Sequence, residues 1–286
     1  MSLTVLAQGA EAQLDSPVFN AVWSVLFLGG LGVLSWLAVR RVRGKPVLGE
    51  RAVKTWMVDG VDLAVVLAIG IGGQILVFDV VRQIVPGFDP TRYGTLIVGG
   101  PFFLAVAWVV DSYRNRHGAS AAQFGLDPAA IPRGLWTGLL GYIGVLPVML
   151  GAAAGVQYLM KEMGHTPEMQ EVMRQILQPD GPPWLRPLNI VYAAIGAPIV
   201  EEIVFRGVLM RYVKKLTTPW VAIAISAALF GLVHGQLLPI VVTGILGVAL
   251  GVVFERTGNL WSCIVLHMAN NVMTLAIQLV LLPKAM

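Results

Sequence analysis

Charge is scarce in this chain. Only 13% of its 286 residues are Asp, Glu, Lys or Arg, against about 25% in a soluble globular domain. That excludes an ordinary water-soluble fold. Cysteine is almost missing as well. Cys263 stands alone inside an apolar run, so no intramolecular disulfide forms, and the redox compartment stays open. There is no secretory leader pattern: no basic stretch opens the chain, and Glu11 and Asp15 precede the first long apolar run. Long repeats and low-complexity tracts are lacking too, and so is the zinc-protease pattern His-Glu-xx-His.

What is there is hydrophobic. Apolar residues make up 56% of the chain and mean hydropathy is +0.75. The composition predicts an all-α, multi-pass transmembrane helix bundle. The pI near 9.4 does not indicate a nucleic-acid partner, because most Lys and Arg sit in short loops between apolar runs, the usual placement in a membrane protein.

Eight apolar segments follow one another, at 18–39, 61–79, 95–110, 134–160, 188–210, 219–235, 239–254 and 261–282. A span needs about 20 residues, which predicts about eight transmembrane helices. The sixth and seventh are short, and only Gly235-Gln-Leu-Leu-Pro239 parts them, so they read either as two spans or as a re-entrant hairpin. Asp59, Asp62, Asp79 and Arg82 mark the ends of the second segment. The loop 40–57 carries six basic residues against Glu50, which places it in the cytoplasm and the acidic N-terminus outside. The expected location is the cell membrane. Tryptophans 56, 108, 136, 184, 220 and 261 fall near segment ends, as interface anchors do. His117 and His165 fall in loops and are expected to be solvated.

Gln178-Pro-Asp-Gly-Pro-Pro183 is a breaker cluster. It divides residues 1–183, of unassigned role, from 184–286. Just before it, 167–177 reads as an amphipathic surface helix. Gly151-xxx-Gly155 and Gly247-xxx-Gly251 are patterns that let helices approach closely.

The second part holds ionisable residues where lipid-facing positions would be apolar. Glu201 and Glu202 sit together in Leu188-Asn-Ile-Val-Tyr-Ala-Ala-Ile-Gly-Ala-Pro-Ile-Val-Glu-Glu-Ile-Val-Phe-Arg206. One charge at the centre of a membrane helix costs about 2.5 to 3.5 kcal/mol on insertion scales, so a doublet marks a functional site. Glu202 and Arg206 are four apart and share a helix face, which predicts an ion pair. Glu201 points about 100° away, without a local partner. It is the candidate general base, because desolvation strengthens a carboxylate as a base. Pro198 removes a helix hydrogen bond nearby and is expected to kink the helix. Phe230 and His234 are spaced to pack ring on ring. His267 and Asn271 again share a face. Two imidazoles, a carboxylate and an amide suit binding a water and polarising a carbonyl. Glu201, His234 and His267 also suit zinc.

In this order, Glu201-Glu202-xxx-Arg206, Phe230-xxx-His234 and His267-xxx-Asn271 resemble the motifs of the CPBP family. This is the CAAX-processing and bacteriocin-processing group of intramembrane proteases, also called Abi. The resemblance covers about 184–286 and nothing before it. It implies an intramembrane endopeptidase acting on membrane-associated peptides or proteins. Glu201 would activate water, His234 would assist, His267 and Asn271 would hold the water or the oxyanion, and Glu202, Arg206 and Phe230 would support them. The missing His-Glu-xx-His favours glutamic, metal-free catalysis over zinc.

Two other classes fit parts of the pattern. A scaffold or immunity protein on the same fold has no need of all four catalytic candidates. A proton-coupled transporter would show an inverted repeat, and the polar residues lie in one half only. One length argument conflicts with a shared site. At 1.5 Å per residue Glu201 lies about 15 Å, His267 about 9 Å and His234 about 22 Å from the cytoplasmic helix ends. Either the sixth helix starts deeper than its apolar run, or the helices tilt, or the short hairpin is re-entrant.

Overall fold

The computed structural model describes residues 17–44, 53–56, 58–84, 93–165, 176 and 182–281. The described residues form helices and connecting turns, with no strand among them. Eight long helices match the eight apolar segments. These are α1 (Pro17–Val42), α2 (Gly60–Ile84), α3 (Gly94–Asn115), α5 (Ile131–Glu162), α6 (Leu185–Leu216), α7 (Pro219–Leu232), α8 (Leu237–Thr257) and α9 (Leu260–Leu281), with one short turn, α4 (Ala121–Phe124), between α3 and α5. Among the described residues, five helical stretches are long and apolar enough to cross a membrane: Gly60–Ile84, Pro128–Glu162, Leu185–Leu216, Leu237–Thr257 and Leu260–Leu279. Ser24–Arg40 and Pro219–Leu232 are apolar but shorter. The all-α membrane bundle stands; the count of eight spans does not follow from these lengths. The amphipathic 167–177 and the breaker 178–183 lie almost wholly outside the described residues.

Local chemistry sets the helix ends. Asp59 caps α2, accepting from the Val61 and Asp62 backbone N–H groups, while the Asp62 side chain accepts from the Asp59 N–H in return. This reciprocal cap satisfies donors that a helix start leaves unpaired. Burial alone would raise the Asp59 carboxyl, but those N–H groups and the Arg116 guanidinium outweigh it and hold it below 3.8. Thr218 caps α7, with Pro219 in the first turn. The α7 helix stops at Leu232, and the chain reverses through Gly235, whose φ is +75°.

The expectation that Gly247-xxx-Gly251 brings helices close holds. A Cβ on Gly247 would lie 2.9 Å from Ala227 Cα, and one on Gly251 3.0 Å from Ile223, so α8 lies tight on α7. Gly151-xxx-Gly155 does not act this way, because both glycines face open space among the described residues. The α5 helix makes a close contact more than three turns earlier, where a Cβ on Gly138 would lie 2.6 Å from the Ser262 carbonyl of α9. There the Thr137 and Ser262 hydroxyls meet at 2.5 Å.

Two basic residues, Lys214 and Arg211, tie one end together. Lys214 is buried, donating to the Val53 carbonyl and pairing with Glu255 at 2.5 Å. Arg211 donates to the carbonyls of Lys54 and Phe124. Trp261 Nε1 donates to the Asp127 carbonyl. These bonds bring the segment at 53–54, the α4 region, the last turn of α6 and the α8–α9 turn together at that end. The outer surface is apolar, with Trp136, Leu28 and Leu76 broadly exposed, as a lipid-facing surface requires. Trp56, Trp108, Trp184 and Trp220 are exposed too, while Trp261 is half-buried.

Candidate active site

Four helices build the site. The α6 helix contributes Glu201, Glu202 and Arg206, and it is not uniform. A π-helical turn, Tyr192–Gly196, precedes the glutamates, and a second π stretch, Ile203–Met210, follows them. Such bulges in an α-helix recur at functional sites. Pro198 sits in the first turn after the Tyr192–Gly196 segment, so the expected disruption takes the form of a π-turn.

Glu202 and Arg206 are fully buried and pair at 2.9 Å, the ion pair that their spacing predicts. Arg206 also donates to the Gly247 carbonyl of α8, and its guanidinium lies 4.5 Å over the Phe230 ring. A buried charge is tolerated when paired and hydrogen-bonded in this way. The second Glu202 oxygen is buried with no partner among the described residues.

His267 of α9 enters from the other side, 3% exposed. Its Nδ1 lies 2.9 Å from Glu202 Oε1, and its Nε2 lies 3.8 Å from Glu201 Oε2. A carboxylate only accepts, so Nδ1 carries the hydrogen. Glu201, without a partner on its own helix, thus has one across the bundle. It remains about a third exposed, open to a water or a substrate.

Phe230 is the hub. Its ring meets Phe205 at 5.1 Å, His234 at 5.3 Å and His267 at 5.4 Å, all edge-on. His234 lies beyond the end of α7, in the turn, with Nδ1 2.8 Å from the Phe230 carbonyl. That carbonyl only accepts, so the hydrogen is on Nδ1 and the neutral ring offers its Nε2 lone pair. This removes the conflict over helix depth. The sixth segment ends at Leu232, the fifth runs on to Leu216, and Phe230, one turn nearer the α7 start, reaches His267 on behalf of His234. No hydrogen bond joins His234 to Glu201 or His267 among the described residues.

Asn271 lies one turn beyond His267. Its amide donates to the Ala193 carbonyl of α6 at 2.8 Å, and its oxygen accepts from Asn270 at 3.2 Å. Neither contact was legible in the spacing, nor was the Glu202–His267 bond between residues 65 apart.

A metal fits this set poorly. Among the described residues, the three ligand-type side chains whose donor atoms all lie within 4.8 Å are Asp59, Asp62 and His117, not Glu201, His234 and His267. In the former group Arg116 already supplies the cation, at 2.9 Å from Asp59 and 3.1 Å from Asp62, and Ser112 donates to Asp62 at 2.7 Å. His117 is part of this network, 3.3 Å from Asp62, and so is not the solvated loop residue that its position implied. His165 is exposed, as expected.

The family model described as "Type II CAAX prenyl endopeptidase Rce1-like" matches residues 182–273. Over this segment, about a third of the chain, it is similar to that family. The matched stretch contains every residue of the CPBP motifs, from Glu201 to Asn271. A curated relative, "Putative membrane peptidase YdiL" of Bacillus subtilis (strain 168), is 27% identical over 129 residues, covering 45% of this chain and 50% of the relative. The chain thus spans about half the length of that relative. No solved structure matches.

Proposed function

We propose that the protein is an intramembrane endopeptidase that hydrolyses peptide bonds of membrane-associated proteins or peptides. The observation that carries this reading is the half-open Glu201 carboxylate facing His267, whose other nitrogen is fixed by the buried Glu202–Arg206 pair.

In the proposed reaction a water sits between Glu201 and the substrate carbonyl. Glu201 takes a proton as the water oxygen bonds to the carbonyl carbon, and the carbonyl π electrons move to its oxygen. His234, with Nε2 as acceptor, helps to orient that water. His267 donates from Nδ1 to Glu202 and presents its Nε2 side to the reacting carbonyl, where its doubly protonated form would donate to the oxyanion. Preorganised donors of this kind act most strongly in a low-dielectric site. The tetrahedral intermediate collapses, the C–N bond breaks, and Glu201 returns its proton to the leaving amine. Glu202 and Arg206 hold His267 in place.

The Rce1-like match supports CAAX-processing-type substrates as the class. The six basic residues of the loop 40–57, with Arg211 and Lys214 bonded to its residues 53–54, support an orientation with that loop in the cytoplasm of a cell-membrane protein. The poor zinc geometry supports glutamic over metal chemistry. The test is cleavage of membrane-associated peptides by the detergent-purified protein, with and without a chelator. Chelator-resistant cleavage supports the glutamic mechanism. Cleavage lost with chelator and restored by zinc overturns it while leaving a peptidase.

A further inference from the structure

The π-turn before the glutamates leaves a carbonyl without a donor. In that turn the Ala197 N–H bonds back five residues, to the Tyr192 carbonyl. The next carbonyl, Ala193, falls in register with residue 198. Residue 198 is proline and has no N–H. A buried carbonyl left unpaired in lipid is costly. Here the partner comes from another helix: the Asn271 amide donates to the Ala193 carbonyl at 2.8 Å.

The consequence reaches the site. A π-turn adds one residue to a helical turn, which rotates everything beyond it by about 100°. That rotation decides which face of α6 carries each glutamate. With the turn in place, Glu202 meets His267 Nδ1, and Glu201 faces Nε2 and the opening. If the turn relaxed to α, the doublet would swing away from both. The α9 helix grips α6 twice from one face, through Asn271 at the turn and through His267 at the doublet.

We propose that Asn271 has a positioning role beside the water- or oxyanion-holding one that the resemblance implies: by replacing the N–H that Pro198 lacks, it locks the π-turn and so sets the rotation that presents Glu201 to the substrate. This rests on the peptidase reading, which gives the rotation its purpose, but the clamp itself is testable without it.

The experiment is a double-mutant cycle on the full-length, detergent-purified protein. It uses wild type, Asn271→Ala, Pro198→Ala and the double variant, with kcat, KM and Tm measured for each. Pro198→Ala restores an N–H in register with the Ala193 carbonyl. Asn271→Asp, isosteric but without the donor, stands in for Asn271→Ala should that variant not fold. The expected result is a fall in kcat of about 10²-fold for Asn271→Ala with KM nearly unchanged, as a displaced reacting group gives. In the Pro198→Ala background the same substitution costs at least about threefold less, and the Tm losses are likewise non-additive. Equal kcat losses in both backgrounds would mean that Asn271 acts on the reacting atoms alone, and would overturn the proposal. Coupling in Tm without coupling in kcat would reduce Asn271 to a structural residue, which also overturns it. Should no substrate be cleaved by wild type, the peptidase reading fails by itself. The Tm cycle then decides the clamp, coupling supporting it and additivity refuting it.

Discussion

His267 Nδ1 lies 2.9 Å from Glu202 Oε1, across two helices and within a side-chain cluster closed to solvent. That bond joins the structural half of the glutamate doublet to the half that faces the opening. It makes the two carboxylates unequal although they are adjacent in the chain.

The inequality yields the first prediction. Glu202→Gln removes the charge that Arg206 and His267 share and leaves a buried guanidinium unpaired, which costs about 3–5 kcal/mol. Glu201→Gln changes a group about a third exposed and is expected to leave stability nearly unchanged. Thermal unfolding in detergent checks this: a large Tm loss for Glu202→Gln beside a near-wild-type Glu201→Gln. Equal losses would contradict the division of roles.

Phe230 is expected to matter out of proportion to its chemistry. Phe230→Leu keeps apolar bulk but loses edge-on contacts with two imidazoles and the face under Arg206. Such aromatic contacts are each worth about 0.5–1.5 kcal/mol. The variant is predicted to stay folded and to lose cleavage about tenfold or more, since about 1.4 kcal/mol of lost transition-state stabilisation is tenfold in rate. Wild-type cleavage rates would contradict a hub role.

How much of this was legible in the sequence depends on the range of each contact. The Glu202–Arg206 pair and the Phe230–His234 contact span four residues of one chain segment, so helical spacing alone exposes them. The caps at Asp59 and Thr218 are equally local. The Glu202–His267 bond, the Arg206 bond to Gly247 and the Asn271 bond to Ala193 join different helices, and no spacing within one helix encodes which faces meet. The π-turns were hidden for another reason. A bulge shifts the register by one residue while the hydrophobic pattern on either side still reads as α. Gly151 and Gly155 show the converse: a packing pattern present in sequence whose face meets nothing among the described residues.

The last turn of α7 has no room for a larger residue at Gly231. A Cβ on Gly231 would lie 2.6 Å from the Ile240 backbone carbonyl, and His234 follows three residues later. Gly231→Ala is predicted to destabilise by about 1–3 kcal/mol, the usual cost of overpacking, and to displace His234. Tm and cleavage should fall together. A variant with wild-type Tm and rate would show that the hairpin is looser than its contacts imply.

The network at Asp59 predicts an acid response. Its carboxyl is held below 3.8 in the folded protein, so its contribution is present above that value and is lost as pH falls through the lower, folded pKa. Asp59→Asn should therefore lower Tm at pH 7, and the gap from wild type should close as the pH drops below 3.8. A gap that widens in acid would contradict the assignment.

The central claim is that Glu201 performs peptide hydrolysis in the membrane. The most direct measurement is mass-spectrometric detection of cuts in a diverse library of membrane-associated peptides, with wild type and Glu201→Gln in parallel. The account predicts defined cuts by wild type and none by Glu201→Gln, both proteins being folded with similar Tm. Cuts that persist in Glu201→Gln at the wild-type rate would contradict it.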